Sequence, residues 1–247
     1  MPWLVLLCAL CMPVVAWFSQ QGTFGPDNGT ISNAFPTLLV PAGYAFAIWG
    51  PIFLLDIVYA IWQCGNRRHD GAMLRVRIAS LIAFALTSAW MVVFSQQQFW
   101  LALGVIWASL VCLIYAAYWL SRQRPAPDAL SGCAWLPLSL HAGWVSLAAF
   151  ANLAQVTVAF RLMSIDNMLP WSIGLLVIAA LLLLIANARM SGNVFYAVAA
   201  TWGLAGIYVK QSVATLAGAQ TVALAAVVVA VLLVAQTLWL RIKAKSI

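Results

Sequence analysis

The chain has 247 residues, of which 65% are hydrophobic and 7% charged, and its mean hydropathy is +1.00. A soluble domain is about 25% charged and about half apolar, so this composition places the chain in a membrane and excludes a disordered chain, a disulfide-stapled scaffold and a nucleic-acid binder. The net charge of +7 would suggest anionic partners in a soluble protein, but in a membrane the informative quantity is where the twelve Lys and Arg sit.

A spanning helix needs about 20 mostly apolar residues, because each unpaired backbone group in hydrocarbon costs several kcal/mol. Eight stretches meet this and predict an all-α polytopic bundle with one transmembrane domain covering 1–247. They are 2–19, 41–63, 78–95, 99–120, 135–159, 170–187, 193–209 and 216–240, the seventh being the shortest. The first carries Cys8 and Cys11, a C-x-x-C read as small buried hydrophobes, because neither a haem-attachment His nor a second Cys pair follows. Val14-Val15-Ala16 would tolerate signal cleavage, but no basic residue precedes the apolar run, so the span is expected to be retained. The polar segment 20–40 is too short for a soluble core, and its sequon Asn28-Gly29-Thr30 is taken as chance.

With eight spans, Arg67, Arg68, Arg75, Arg77, Arg122, Arg124, Arg189, Arg241, Lys243 and Lys245 share one side, and only Arg161 and Lys210 lie opposite. This bias predicts that both termini are cytoplasmic. Dropping the seventh span would move three C-terminal cations across and weaken the split. The run Arg67-Arg68-His69-Asp70 with Arg75 and Arg77 reads as a topology-setting, headgroup-contacting loop. Cys64 and Cys133 fall on the same side and are expected to stay reduced.

Two ionisable side chains lie well inside spans: Asp56 in the second and His141 in the fifth. Each is about 10 Å below the same surface at 1.5 Å per residue, so they can meet. Ala42, Ala45, Trp49, Ile52, Asp56, Tyr59 and Gln63 share one helical face, as do His141, Trp144, Ala148, Asn152 and Gln155. Lipid would reject both stripes, so both are predicted to face protein, either as a buried structural network or as a ligand or ion site. Of the thirteen Trp, Trp3, Trp17, Trp62, Trp100, Trp119, Trp135, Trp171 and Trp239 lie near span ends as interfacial anchors. Trp90 is ambiguous. Trp49, Trp107, Trp144 and Trp202 lie at depth, where they either pack or line a cavity for a flat ligand, and Trp202 with Gly203 and Gly206 reads as close helix packing. No metalloprotease, nucleophile-elbow, phosphate-loop or dinucleotide motif occurs, there is no Glu, and the five Asp are scattered.

Pro41-Ala42-Gly43-Tyr44-Ala45-Phe46-Ala47-Ile48-Trp49-Gly50 resembles the hallmark segment of the larger, eight-helix bacterial tryptophan-rich sensory proteins related to the TspO/MBR family. The run Leu136 to Asn152, LPLSLHAGWVSLAAFAN, resembles that family's P-x5-GW-[IV]-S-x-A-x3-N segment, and Thr201 to Ile207 is a weaker third match. Where the compact five-helix proteins carry a second Pro and a terminal Tyr, this chain has Ala42 and Phe53. The resemblance implies a protein that binds, and senses or translocates, a tetrapyrrole or other flat lipophilic molecule in an intrabundle cavity. Tyr44, Trp49, Asp56, His141, Trp144 and Asn152 form the candidate ligand-binding set. The alternatives are a small proton-coupled transporter using Asp56 and His141, and an intramembrane enzyme using the same pair as acid and base, which ranks last for want of a motif. No cofactor or metal is required, porphyrin or haem being the implied ligand. The expected partners are the lipid bilayer, that small molecule and, as an open option, a second copy in a homodimer. The expected location is the cell membrane, multi-pass, of bacterial cytoplasmic type.

Overall fold

The computed structural model describes residues 1–65, 71–123 and 130–245, and among them every regular element is helical. In chain order these are α1 (Pro2–Gln20), α2 (Asn28–Ala34), a 3-10 turn (Gly43–Ile48) running into α3 (Trp49–Gly65), α4 (Gly71–Ser95), α5 (Phe99–Arg122), a π-turn (Ser131–Trp135) running into α6 (Leu136–Ala159), α7 (Leu169–Arg189), α8 (Val194–Ser212) and α9 (Ala219–Lys245). The expected spans therefore all exist as helices. The cluster Arg67-Arg68-His69-Asp70 and Arg124 lie outside the described residues.

The helices divide into two compact units. The first comprises 1–27 and 48–142, and the second 28–47 and 143–247. In the first, α1 packs on α3 and α4, α4 packs on α5, and the π-turn meets α3 and α5. In the second, α9 packs on α7 and α8. Here α6 approaches α8 so closely that a Cβ on Gly143 would collide with the Tyr196 carbonyl, and Ser146 Oγ lies 2.9 Å from Tyr196 Oη. Gly203 and Gly206 do serve close packing: a Cβ on Gly203 would lie 2.8 Å from Leu147 Cδ1, and one on Gly206 would lie 2.7 Å from Ala45 Cβ.

Local chemistry sets the helix ends. Pro2 and Pro170 occupy first-turn positions, where the missing N–H is not needed, and Asn193 caps α8 by accepting from the Tyr196 N–H at 3.2 Å. Three helices stop by the same device. Gln97, Arg161 and Ser191 take φ of 57°, 50° and 57°, which lets the N–H of Gln98, Leu162 and Gly192 reach back to Val93, Thr157 and Asn187.

Among the described residues, seven helical stretches are long and apolar enough to cross a bilayer, and the eighth expected span, α8, is not one of them. Its 19 residues reach about 28 Å, close to a bilayer core. What lowers its hydropathy is a set of small and polar residues, Thr201, Gly203, Gly206, Lys210 and Gln211, three of which make contacts inside the second unit. The chain is thus a multi-pass helical membrane protein in contact with the lipid bilayer.

Candidate functional site

The six sequence-derived candidates divide between the units: Trp49, Asp56 and His141 belong to the first, Tyr44, Trp144 and Asn152 to the second. In the first unit Asp56 and His141, which matched depth allows to meet, do so. His141 Nδ1 lies 2.8 Å from Asp56 Oδ2, and both side chains are wholly buried. With the carboxylate oxygen as acceptor, Nδ1 is the donor in this contact. Thr87 Oγ1 stands 3.5 Å from His141 Nε2, at the outer limit of a hydrogen bond, and 3.2 Å from Ser109 Oγ. Ser109 donates in turn to the Ala83 carbonyl at 3.3 Å. Asp56 Oδ1 accepts no hydrogen bond among the described residues.

Aromatic rings hold the imidazole from two directions. Phe84 stacks on it at 6.1 Å and 11°, and Trp49 meets it edge-on at 5.6 Å and 87°. Trp49 itself stacks on Phe53 at 5.2 Å and lies 6.5 Å from Trp90, which stacks on Phe94. The ambiguous Trp90 is therefore a buried member of an aromatic column. On the other side of Asp56 the α3 stripe stays polar. Tyr59 Oη lies 2.9 Å from Ser80 Oγ, Ser80 donates to the Arg77 carbonyl, and a terminal nitrogen of Arg77 donates to the Gln63 carbonyl at 3.1 Å. Gln63 Nε2 donates to the carbonyls of Pro2 and Ala60.

Thr87, Ser109, Ser80, Phe84 and the buried Arg77 were not among the expected site residues. For α4 the signal was present: 77, 80, 84 and 87 repeat at steps of three and four, so one face carries all four. Ser109 gives no such signal, being one of several small residues in an apolar helix.

In the second unit the segment 37–46 is pinned by α8. Gly206 accepts from the Ala42 N–H at 2.9 Å, the Trp202 indole N–H donates to the Ala45 carbonyl at 2.9 Å, and Gln211 Nε2 donates to the carbonyls of Thr37 and Val40. Tyr44 meets Trp202 edge-on at 5.6 Å, and Phe46 meets Trp144 edge-on at 5.8 Å. Trp144 and Asn152 are enclosed, both 2% exposed, whereas Tyr44 is open. Of the other deep indoles, Trp107 is half-buried and Trp202 is 40% exposed. An apolar cavity of about 390 Å³ lies between α8 and α9, with Thr201, Trp202 and Thr237 in its wall.

The remaining indoles sort mostly as expected. Trp3, Trp17, Trp100 and Trp239 are exposed, and Arg75 and Lys243 lie over the rings of Trp119 and Trp239 at 5.0 and 5.4 Å. Trp135 departs from the anchor role: it is buried and donates to Ser121 Oγ at 2.9 Å, because the π-turn folds it against α5. The described cysteines are free thiols, and among the described residues no cluster could hold a metal.

An all-helical multi-pass chain with an enclosed carboxylate–imidazole pair in one unit and an indole-walled cavity in the other defines a class of membrane proteins built around internal polar and aromatic groups. Within it, residues 2–239 match the family of TSPO-like proteins, and the chain belongs to that family. Comparison with curated proteins and with solved structures gave no match.

Proposed function

We propose that this TSPO-like protein binds a flat lipophilic small molecule, of tetrapyrrole type, and senses or translocates it. The cavity between α8 and α9 is the observation that carries this reading. Its volume of about 390 Å³ lies in the range of small-molecule sites, and its lining is apolar. Trp202 offers an indole that is already fixed, by its N–H bond to Ala45 and by the edge of Tyr44, so little ordering is lost on binding. The other expected platforms are less available, since Phe53 covers one face of Trp49 and Trp144 is enclosed.

Saturable quenching of Trp fluorescence by protoporphyrin IX in the purified protein tests the reading. Trp202→Phe should reduce the saturable part. Loss in Trp49→Phe or Trp144→Phe instead would relocate the ligand to those rings, and quenching that never saturates would refute binding.

A second reading, proton-coupled transport, is favoured by the 2.8 Å contact of Asp56 and His141, an ionisable pair at membrane depth. Uptake driven by a pH gradient in proteoliposomes, abolished by Asp56→Asn, is its signature. For the topology, the length of α8 and the placement of Arg75, Arg77, Arg122, Arg189, Arg241 and Lys243 support eight spans with both termini cytoplasmic.

A further inference from the structure

The cavity of the second unit follows one face of α8 from Val194 to Ala205, about 16 Å, against a single turn of α9 from Val234 to Leu238. Val198, Trp202, Val234 and Leu238 in its wall are exposed, so it opens sideways, where an apolar spanning helix meets hydrocarbon. An apolar wall gives a ligand's polar groups no partner, so any charge the ligand carries must lie beyond one end. The two ends differ. At Ala205 the cavity stops halfway along α8, at a depth where a charge is costly. At the other end Leu238 is followed at i+3 by Arg241, on the same face of α9. Gly192 lies against this stretch: a Cβ there would be 2.9 Å from the Thr237 carbonyl oxygen and 3.4 Å from Arg241 Cγ. The stem of Arg241 thus sits beside Gly192, two residues before Val194, the first wall residue of α8. Arg241 is half-buried, and its guanidinium makes no hydrogen bond or ion pair among the described residues. Arg189, in the last turn of α7, is exposed at the same end, and Lys243 is turned to the Trp239 ring. The one acidic side chain of the second unit, Asp166, lies at the far end of α7, in the connection from α6.

We propose that the ligand of this cavity is a lipophilic carboxylic acid that enters sideways from the bilayer, its flat body between α8 and α9 and its carboxylate on the Arg241 guanidinium. The proposal rests on the small-molecule reading above and adds to it the ligand's charge, orientation and route of entry. A guanidinium presents five N–H donors in a planar fork that matches a carboxylate with two parallel bonds, and it stays charged at every working pH. Gly192, with no side chain, leaves the space beside the Arg241 stem open. Deeper in the cavity Trp202 is fixed by its bond to the Ala45 carbonyl and by the edge of Tyr44. A ring system gains from packing on such an indole beyond the area it buries, which an acyl chain does not, and this favours a flat acid over a phospholipid. Bound in this direction, the ligand keeps its charge at the end of the helices that carries Arg189, Arg241 and Lys243, and only its apolar part reaches membrane depth.

Protoporphyrin IX and its neutral dimethyl ester share one ring and differ in charge, so together they test the proposal. The full-length protein in phosphatidylcholine nanodiscs is titrated with each, and saturable Trp quenching is read against probe partitioned into empty nanodiscs. The acid should bind at least about fivefold tighter than the ester, the scale of one hydrogen-bonded charge. Arg241→Gln should bring the acid down to the affinity of the ester and leave the ester as it is, which also shows that the variant is folded. Lys243→Gln should change neither. Ala205→Phe, at an exposed wall position, should weaken both probes by filling the cavity. Equal binding of acid and ester in the wild type, an acid preference that survives Arg241→Gln, or the same loss in Lys243→Gln would overturn the proposal and leave the small-molecule reading standing. An acid preference that disappears when phosphatidylglycerol replaces part of the phosphatidylcholine would assign Arg241 to a lipid headgroup and overturn it as well. No saturable quenching by either probe, or full binding in Ala205→Phe, would overturn both the proposal and the cavity reading beneath it.

Discussion

At the scale of single residues, the cost of Asp56 depends on its partner. A buried donor left without an acceptor costs about 1–3 kcal/mol, so Asp56→Ala, which strands His141 Nδ1, should lower the midpoint of thermal unfolding in detergent by that equivalent. Asp56→Asn keeps an acceptor oxygen at the same place and should unfold close to wild type. If both variants fall equally, the charge rather than the hydrogen bond stabilises the bundle. The glycines make a second pair of outcomes. Gly143→Ala forces a methyl group into the Tyr196 carbonyl and should cost about 1–3 kcal/mol or more as overpacking. Gly104→Ala, on α5, meets nothing within 4 Å and should stabilise by up to about 1 kcal/mol through helix propensity. The GW pair of the family segment thus has a packing cause at Gly143, whatever Trp144 binds.

At the scale of elements, the sequence legible as helices was the part governed by apolar length. α5 and α7 begin and end within two residues of expectation, because their cores are uninterrupted. The 3-10 turn before α3 and the π-turn before α6 were not legible, since both depend on tertiary partners: α8 supplies the acceptor and donor that hold 42–45, and Ser121 of α5 holds Trp135. The site was half legible for the same reason. A lone Asp and a lone His stand out in apolar helices, and their matched depth allowed the contact without requiring it. Thr87 and Ser109 are common residues whose role appears only when three helices converge. If the Trp202 N–H fixes the 3-10 turn, Trp202→Phe should cost about 1 kcal/mol and raise amide exchange at residues 43–48 above that of α3. Unchanged exchange there would mean that packing alone holds the turn.

At the scale of the whole molecule, the decisive question is whether α8 crosses. Single Cys variants at Ser191 and Ser212, which bracket α8, report it through labelling by an impermeant thiol reagent in a background with Cys8, Cys11, Cys64, Cys112 and Cys133 replaced. Eight spans place 191 and 212 on opposite faces, and labelling from the same face would reduce the number of crossings to seven. The buried Arg77 bears on how the chain enters the membrane at all. A guanidinium whose hydrogen-bonded partner is the last turn of α3 cannot be left facing lipid while α4 waits for later helices. A hairpin closed by Arg77 on the Gln63 carbonyl would favour insertion of α3 and α4 as one unit, and Arg77→Leu is expected to let them insert separately, as read by glycosylation-site mapping of each segment during translocon insertion.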